Sequence, residues 1–278
     1  NGLSSQRVYS IEEDKYGGIW IAIKNGVARY NGRTLTNYTL GEADKRSDTG
    51  GMVIKLTKDS EDNILAYNNK GEIFKYSEYL DRFIPIALQF TKRINEIKKH
   101  GSGLILQNVV VDKENNLWAA TSKGIFFVSI DGKAIKRHFD KLNVNRSVIV
   151  GQHLIICTTS GVRLIDRKTG KYIRTLYNRN TESAFIDTQY HRLWLGTFNQ
   201  GAVIIDMKTW KKIGTRMESI LPHTPVRAIE ILNDTTIMLG IDGNGVYIAN
   251  RKGNDVRLLW NDDETTDNVI HGNGIYDI

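Results

Sequence analysis

The sequence predicts an all-β fold: a β-propeller of four-stranded antiparallel blades, with six complete units and the start of a seventh. Three observations carry this. Hairpin turns follow one another at close spacing from residue 8, a tryptophan-centred pattern recurs down the chain, and the recurrence has a period near 44 residues.

Residues 8–38 are the template. Strands are expected at 8–12, 19–23, 27–30 and 34–38, with turns at Lys15–Gly18, Lys24–Gly26 and Asn31-Gly32. Asn-Gly is the dipeptide a tight hairpin needs, because both central residues take positive φ. A lone four-stranded meander has one small apolar face, so it is stable only beside copies of itself.

The copies are present. Asp14, Gly18, Ile19-Trp20 and Gly26-Val27 recur as Asp112, Asn116, Leu117-Trp118 and Gly124-Ile125. Asp59, Asn63, Ile64-Leu65 and Gly71 are a weaker copy, and Ile155 with Gly161 mark a fourth unit whose first turn shortens to Gly151–His153. Leu193-Trp194, Gly196 and Gly201 mark the fifth; Ile237-Met238, Gly240 and Gly245-Val246 mark the sixth. The last four residues, Ile275–Ile278, match Val8–Ile11, so six units span 267 positions, about 44 each. The expected blades are 8–45, 46–100, 101–142, 143–179, 180–221 and 222–267, with 268–278 opening the next. All belong to one domain, and the polar opening Asn1–Ser5 reads as an excised piece of something longer.

Composition agrees. Of 278 residues, 40% are hydrophobic, enough for a packed core, and only 3 are proline. No window shows sustained helical periodicity, and no apolar run reaches the 18 residues of a membrane helix. The irregular stretch 87–103 is expected to be a long loop or a single helical turn crossing a face. The one cysteine, Cys157, lies in an apolar strand, which excludes a disulfide framework and predicts a buried thiol.

The net charge of +7 is unevenly placed. Arg163, Arg167, Lys168, Lys171 and Arg174 fall in unit four, Lys208, Lys211, Lys212 and Arg216 in unit five, and Lys133, Lys136 and Arg137 in unit three. These are third- and fourth-strand positions, the outer rim of a propeller. Charge there discourages edge-to-edge pairing; it also suits an anionic glycan or surface. No nucleic-acid module accompanies it, so no nucleic-acid partner is expected.

Trp20, Trp118 and Trp194 share a second-strand position and should pack between blades, and Trp260 ends a fourth strand in a structural place. Trp210 differs: in Lys208-Thr209-Trp210-Lys211 it takes the place that Gly170 holds in Lys168-Thr169-Gly170-Lys171, which predicts an exposed turn-tip contact residue.

Catalytic patterns are lacking. The six histidines are scattered, and no metal-ligand spacing, phosphate loop or nucleophile elbow occurs. The acidic run 261–267 lacks the glycine and register of a calcium loop, so no metal is expected. Binding fits the architecture better. Loops between strands two and three, and linkers between blades, gather on one face of a propeller. They supply Arg7, Asn25, Asn69, Lys123, Arg146, Ser160, Asn199, His223, Arg227, Asp242 and Asn244, to which Trp210 adds an aromatic surface. Amides, hydroxyls and a few charges suit a polyhydroxylated ligand, since each sugar hydroxyl both donates and accepts. Turns also favour these residue types for backbone reasons alone.

The run Ile11 to Gly32, with Asp14, Gly18, Trp20, Gly26 and Tyr30, resembles the two-component regulator propeller repeat, and so do Leu193–Thr197 and Asn1–Ser5. The resemblance implies the periplasmic sensor region of a Bacteroides-type hybrid two-component system. Such a protein has a second propeller in the same chain, an immunoglobulin-like domain, a membrane helix, a histidine kinase and a response regulator. It implies oligosaccharide ligands, among which the basic rim points to acidic ones, and a homodimeric receptor. No enzymatic activity and no cofactor are expected of this region itself. The alternatives are a propeller lyase or hydrolase acting on glycans, a structural interaction disc, or a quinone propeller; Asp166–Lys171 resembles part of the quinone repeat, without its regular tryptophans.

Overall fold

Six short meanders arise because apolar strand segments are cut at regular intervals by residues that make turns. The structure is a computed structural model and describes residues 3, 7–24, 26–40, 54–101, 103–260, 275 and 277–278. Asn25, the acidic run 261–267, the side chain of Trp260 and most of 268–278 lie outside the described residues.

Two compact units divide the chain, Asn1–Val144 and Asn145–Ile278. The first holds the sheets β1 (Val8–Glu13), β2 (Ile19–Ile23), β3 (Gly26–Tyr30), β4 (Leu35–Tyr38) and β5 (Ile54–Lys58), β6 (Ile64–Asn68), β7 (Ile73–Ser77), β8 (Arg82–Ile86). Helix α1 (Leu88–Lys99) follows, then β9 (Leu106–Val111), β10 (Leu117–Thr121), β11 (Gly124–Val128) and β12 (Ile135–His138). At the start of the second unit come β13 (Val144–Val150), β14 (His153–Thr158), β15 (Gly161–Asp166) and β16 (Tyr172–Tyr177). Next are β17 (Thr181–Asp187), β18 (Arg192–Thr197), β19 (Ala202–Asp206), β20 (Lys211–Ile213) and the short helix α2 (Met217–Ile220). The last sheet is β21 (Val226–Ile231), β22 (Thr236–Ile241), β23 (Gly245–Asn250) and β24 (Arg257–Trp260). In every sheet each strand pairs antiparallel with the next in sequence, the blade of a β-propeller. Units two and four, weak as sequence copies, form complete blades.

The repeat residues explain themselves in the turns. After strand one, Asp14, Asp59 and Asp112 each accept from backbone amides two and four residues on: Tyr16 and Gly18, Glu61 and Asn63, Glu114 and Asn116, all at 2.9–3.1 Å. After strand two, the hydroxyls of Thr121, Thr158 and Thr197 donate to the carbonyls of Gly124, Gly161 and Gly201 at 2.8, 2.7 and 2.9 Å. Gly161 has φ +127°, and a Cβ there would sit 2.3 Å from the Tyr177 carbonyl oxygen. That approach admits only glycine.

Second strands read as continuous apolar runs because neighbours cover both faces; every residue of β6 and β10 is buried. Trp20, Trp118 and Trp194 are all buried. Around Trp20, Tyr76 and Phe83 of the second blade close edge-on at centroid distances of 4.6 and 5.7 Å. The Asp14 carboxylate accepts from the Trp20 indole at 2.7 Å and from Arg29 at 2.8 Å, and the guanidinium lies 5.2 Å from the indole ring. Burial raises the Asp14 carboxyl, but the indole, the turn amides and Arg29 outweigh it and leave it below the usual range.

The stretch after the second blade corrects the expectation of a loop or single turn. It holds the 12-residue helix α1. Phe90 and Ile94 are buried, Ile97 is partly buried, and the three sit at i, i+4 and i+7 on one face. That face packs on Leu65, Ile73 and Phe126. The Thr91 hydroxyl donates to the Gly71 carbonyl at 3.0 Å and Lys98 Nζ to the Lys70 carbonyl at 2.9 Å, so α1 lies across the turn between β6 and β7.

One relationship recurs within the second unit. Gly196 in β18 pairs with Ser183, and a Cβ on it would come within 3.0 Å of the Val226 side chain that opens β21. Gly240 in β22 pairs with Ala228, and a Cβ there would meet the side chain of Ile275 at 2.4 Å. Ile275 is buried, and it stands to the sixth blade as Val226 stands to the fifth.

Candidate functional site

Each first strand after the first blade opens on a buried residue followed by a half-buried polar one: Ile54-Lys55, Leu106-Gln107, Val144-Asn145, Thr181-Glu182 and Val226-Arg227. Strand alternation turns the first of each pair into the blade packing and the second away from it. A set of polar side chains therefore follows from one position in the repeat.

In the first unit Lys55 Nζ donates to the Gln107 carbonyl at 3.0 Å, and Gln107 Nε2 donates to Asn143 Oδ1 at 2.6 Å. The second unit carries the larger cluster. Asn145 Nδ2 donates to Asn180 Oδ1 at 3.1 Å, the Thr181 carbonyl at 2.9 Å and Glu182 Oε1 at 3.4 Å. Arg227 stands between two carboxylates, 3.7 Å from Glu182 and 2.8 Å from Asp242. Asn244 Nδ2 donates to the Thr224 hydroxyl at 2.9 Å and to the Asp242 carbonyl at 3.2 Å. The Phe198 amide donates to the Asn180 carbonyl, which anchors at the cluster an aromatic side chain 44% exposed. The cluster thus offers three amides, two carboxylates and a guanidinium, all half-buried, with the exposed Phe198 next to it in the chain fold. Such groups both accept from and donate to hydroxyls.

The sequence-predicted residues divide. Asp242 and Asn244 join this cluster through Arg227 and Thr224. Arg7 and His223 are exposed in the segments before β1 and β21. The Asn69 carbonyl accepts from the Leu106 amide, while its buried Oδ1 has no hydrogen-bond partner among the described residues. Lys123, Ser160 and Asn199 are exposed within their own hairpins, Ser160 Oγ lying 3.2 Å from the Thr158 hydroxyl. Asn25 lies outside the described residues.

The expected exposure of Trp210 is corrected. The residue is half-buried, meets the His153 ring edge-on at 5.3 Å and packs on the core shared by β14, β15 and β19. It does take the place of Gly170: its φ is +55° where Gly170 has +68°, and both amides donate back to the turn-opening aspartate carbonyls of Asp206 and Asp166. Packing holds a bulky residue in a conformation glycine adopts freely.

Lys55, Gln107, Asn143, Asn145, Asn180 and Glu182 were missed by sequence reasoning. For Lys55, Gln107, Asn145 and Glu182 the signal was available as the polar residue after each buried strand opener, and Asn143 and Asn180 stand just before such an opener. Away from this cluster, a cleft of about 480 Å³ opens between the second and third blades, with Leu65, Ile86, Leu88, Val111, Leu117 and Ile130 among its walls. The Asp59–Lys75 ion pair, 2.8 Å, lies beside it. Cys157 is fully buried, and burial pushes its thiol up to about 12, which removes it from nucleophilic chemistry.

Residues 2–25 match the family described as two component regulator propeller. No curated protein sequence matches the chain. Among solved structures, the fold is similar to the extracellular domain of a B. thetaiotaomicron protein described as the hybrid two component system BT3049, with TM-score 0.72 and 15% identity over 99% of this chain and 37% of that one. It is also similar to the extracellular domain of BT4673 from the same organism, with TM-score 0.74 and 15% identity over 100% of this chain and 36% of that one. Raptor of Chaetomium thermophilum shares the fold with TM-score 0.68 and 12% identity, over 94% of this chain and 25% of that one. The chain thus spans little more than a third of the two extracellular domains, and the propeller by itself carries unrelated functions.

Proposed function

We propose that this chain is an extracytoplasmic, periplasmic sensor propeller of two-component signalling, that it binds oligosaccharides released from polysaccharides, and that it contributes to receptor dimerisation. The observation that carries the binding reading is Arg227, set between Glu182 and Asp242 and flanked by Asn145, Asn180 and Asn244. Planar, charge-assisted groups at this density suit the paired hydroxyls of a pyranose. The sensor role draws support from the two component regulator repeat at residues 2–25 and from the likeness to extracellular domains of hybrid two component systems. Signalling would be a population shift: a ligand that prefers one receptor arrangement moves the equilibrium by its differential affinity and no more.

Calorimetric titration of oligosaccharide panels into the full chain tests this. Arg227→Ala is expected to weaken the best binder about tenfold or more, the effect of removing a charged hydrogen-bond donor, without changing the melting temperature by more than a few degrees. Undiminished binding in that variant would remove the cluster from the proposal, and no binding across neutral and acidic panels would remove the glycan reading.

A further inference from the structure

The chain's excess charge is concentrated in two segments of the second unit, around the outer strands of the fourth and fifth blades. Residues 163–179 and 206–218 together carry ten Lys and Arg against three carboxylates, an excess of seven that equals the formal +7 of the whole chain. Lys168, Lys171, Arg174, Lys208, Lys211 and Lys212 are all exposed. Asp166 and Asp206 are taken up by their own hairpin turns, and Glu218 of α2 by Lys212 of β20. Asp166 accepts from the Thr169 amide and hydroxyl at 2.7 and 2.6 Å, Asp206 from those of Thr209 at 2.7 and 2.8 Å, and Glu218 pairs with Lys212.

The strands concerned are contiguous. β16 and β20 are the terminal strands of neighbouring sheets and lie side by side. Tyr172 and Ile173 of β16 are 50% and 45% exposed, amid the basic residues. Protection of sheet edges needs less charge than this. The matching stretches of the first two blades, 26–40 and 72–87, have two basic residues each, and the second also has Glu72, Glu78 and Asp81.

We infer that the outer edge of the fourth and fifth blades is a docking surface for an anionic polysaccharide chain. Charge complementarity selects the occupant. The cations are strung along strand edges and hairpins, as a linear polymer with repeating carboxylates requires, and the Tyr172 ring offers a face to a sugar. This deepens the glycan-sensing reading and rests on it, but its surface is separate from the Arg227 cluster.

The test measures binding of the full chain to polygalacturonate at 50 and 200 mM salt, beside neutral dextran, phosphatidylglycerol vesicles and duplex DNA. Two charge-reversed variants are compared. One carries Lys171→Glu, Arg174→Glu, Lys208→Glu and Lys211→Glu; the other carries Arg33→Glu, Arg82→Glu, Lys92→Glu and Lys99→Glu, with the same net charge. Glutamate keeps both edges charged, and four glutamines at the first set of sites serve as a second variant should reversal impair folding. Polygalacturonate affinity is expected to fall at least about tenfold in the first variant and less than about twofold in the second, and to weaken with salt as exposed charges are screened. Dextran is expected not to bind. Equal losses in the two variants, no polygalacturonate binding, or vesicles or DNA bound as tightly would each overturn the inference. Polygalacturonate binding lost as fully in Arg227→Ala as in the first charge-reversed variant would assign acidic sugars to the Arg227 cluster and overturn the outer surface alone.

Discussion

Arg251, just past β23, closes on Asp187 at the end of β17 with two parallel hydrogen bonds, Nε to Oδ2 at 2.9 Å and Nη2 to Oδ1. The side chains are 4% and 0% exposed, and the pair joins the fifth blade to the sixth across 64 residues of sequence. Arg251 also donates to Gln189 Oε1 at 2.8 Å and lies over the Tyr190 ring at 4.8 Å.

Breaking this pair should cost more than any exposed pair in the chain. Asp187→Asn leaves a buried guanidinium without its counter-charge, which costs about 3–5 kcal/mol, read by denaturant unfolding at pH 7. Burial raises the Asp187 carboxyl, but the Arg251 hydrogen bonds outweigh it and the folded value is lowered. Its contribution is therefore complete above the unfolded carboxylate value of about 4 and is lost as pH falls toward the lower folded value. The gap between parent and variant should narrow below pH 4 and stay constant from 5 to 8. A gap that widened in acid would contradict the assignment.

The Asp14–Trp20–Arg29 contact is expected to act as one unit. Asp14→Ala removes the acceptor for the indole and for Arg29, and should destabilise by about 2 kcal/mol. Arg29→Ala in that background should add less than it does alone. Additive losses in the double-mutant cycle would show that the three groups are independent.

Gly161 and Gly32 separate conformation from contact. Gly161→Ala meets both a positive φ and the Tyr177 carbonyl oxygen, whereas Gly32, φ +89°, has nothing within 4 Å of a built Cβ. Gly32→Ala should cost about 1 kcal/mol, the left-handed penalty alone, and Gly161→Ala at least about twice that. Equal costs in chemical denaturation would mean that the β15–β16 edge yields freely.

Helix α1 should be integral to its unit. Phe90→Ala empties a fully buried site and should cost about 3–5 kcal/mol, while Leu88→Ser, at a position 56% exposed, should change stability by less than about 0.5 kcal/mol. Amide exchange of β6 and β7 should quicken in the Phe90 variant, because α1 lies across their turn. Unchanged exchange there would sever the helix from the blade.

Strands and turns were legible because their causes are local. Asp14 and Asp112 bond amides within four residues of themselves, and Thr121 and Thr158 the carbonyl of a glycine three residues on, so the pattern survives in linear form. Helix α1 was not legible. Its apolar face is only Phe90, Ile94 and Ile97 among lysines, its N-cap position is Ala87 with no side-chain cap, and its stability comes from the blades beneath it. Trp210 was misjudged for a similar reason: the sequence shows its turn-tip position and its lysine neighbours, but the His153 ring that covers it comes from 57 residues earlier in the chain. Of the Arg227 cluster, Arg227 was found as a linker residue and Asp242 and Asn244 as turn residues, whereas Asn145 and Glu182 looked like ordinary strand polars.

Gly196 and Gly240 are notches, each cut in a second strand where a later segment lays down an apolar side chain. A methyl group at Gly196 would press on the Ser183 hydroxyl and on the backbone of Val226, and one at Gly240 on the side chain of Ile275, so damage at either site reaches the segment seated against the strand. At these two positions the smallest residue is what lets the following segment seat against the strand.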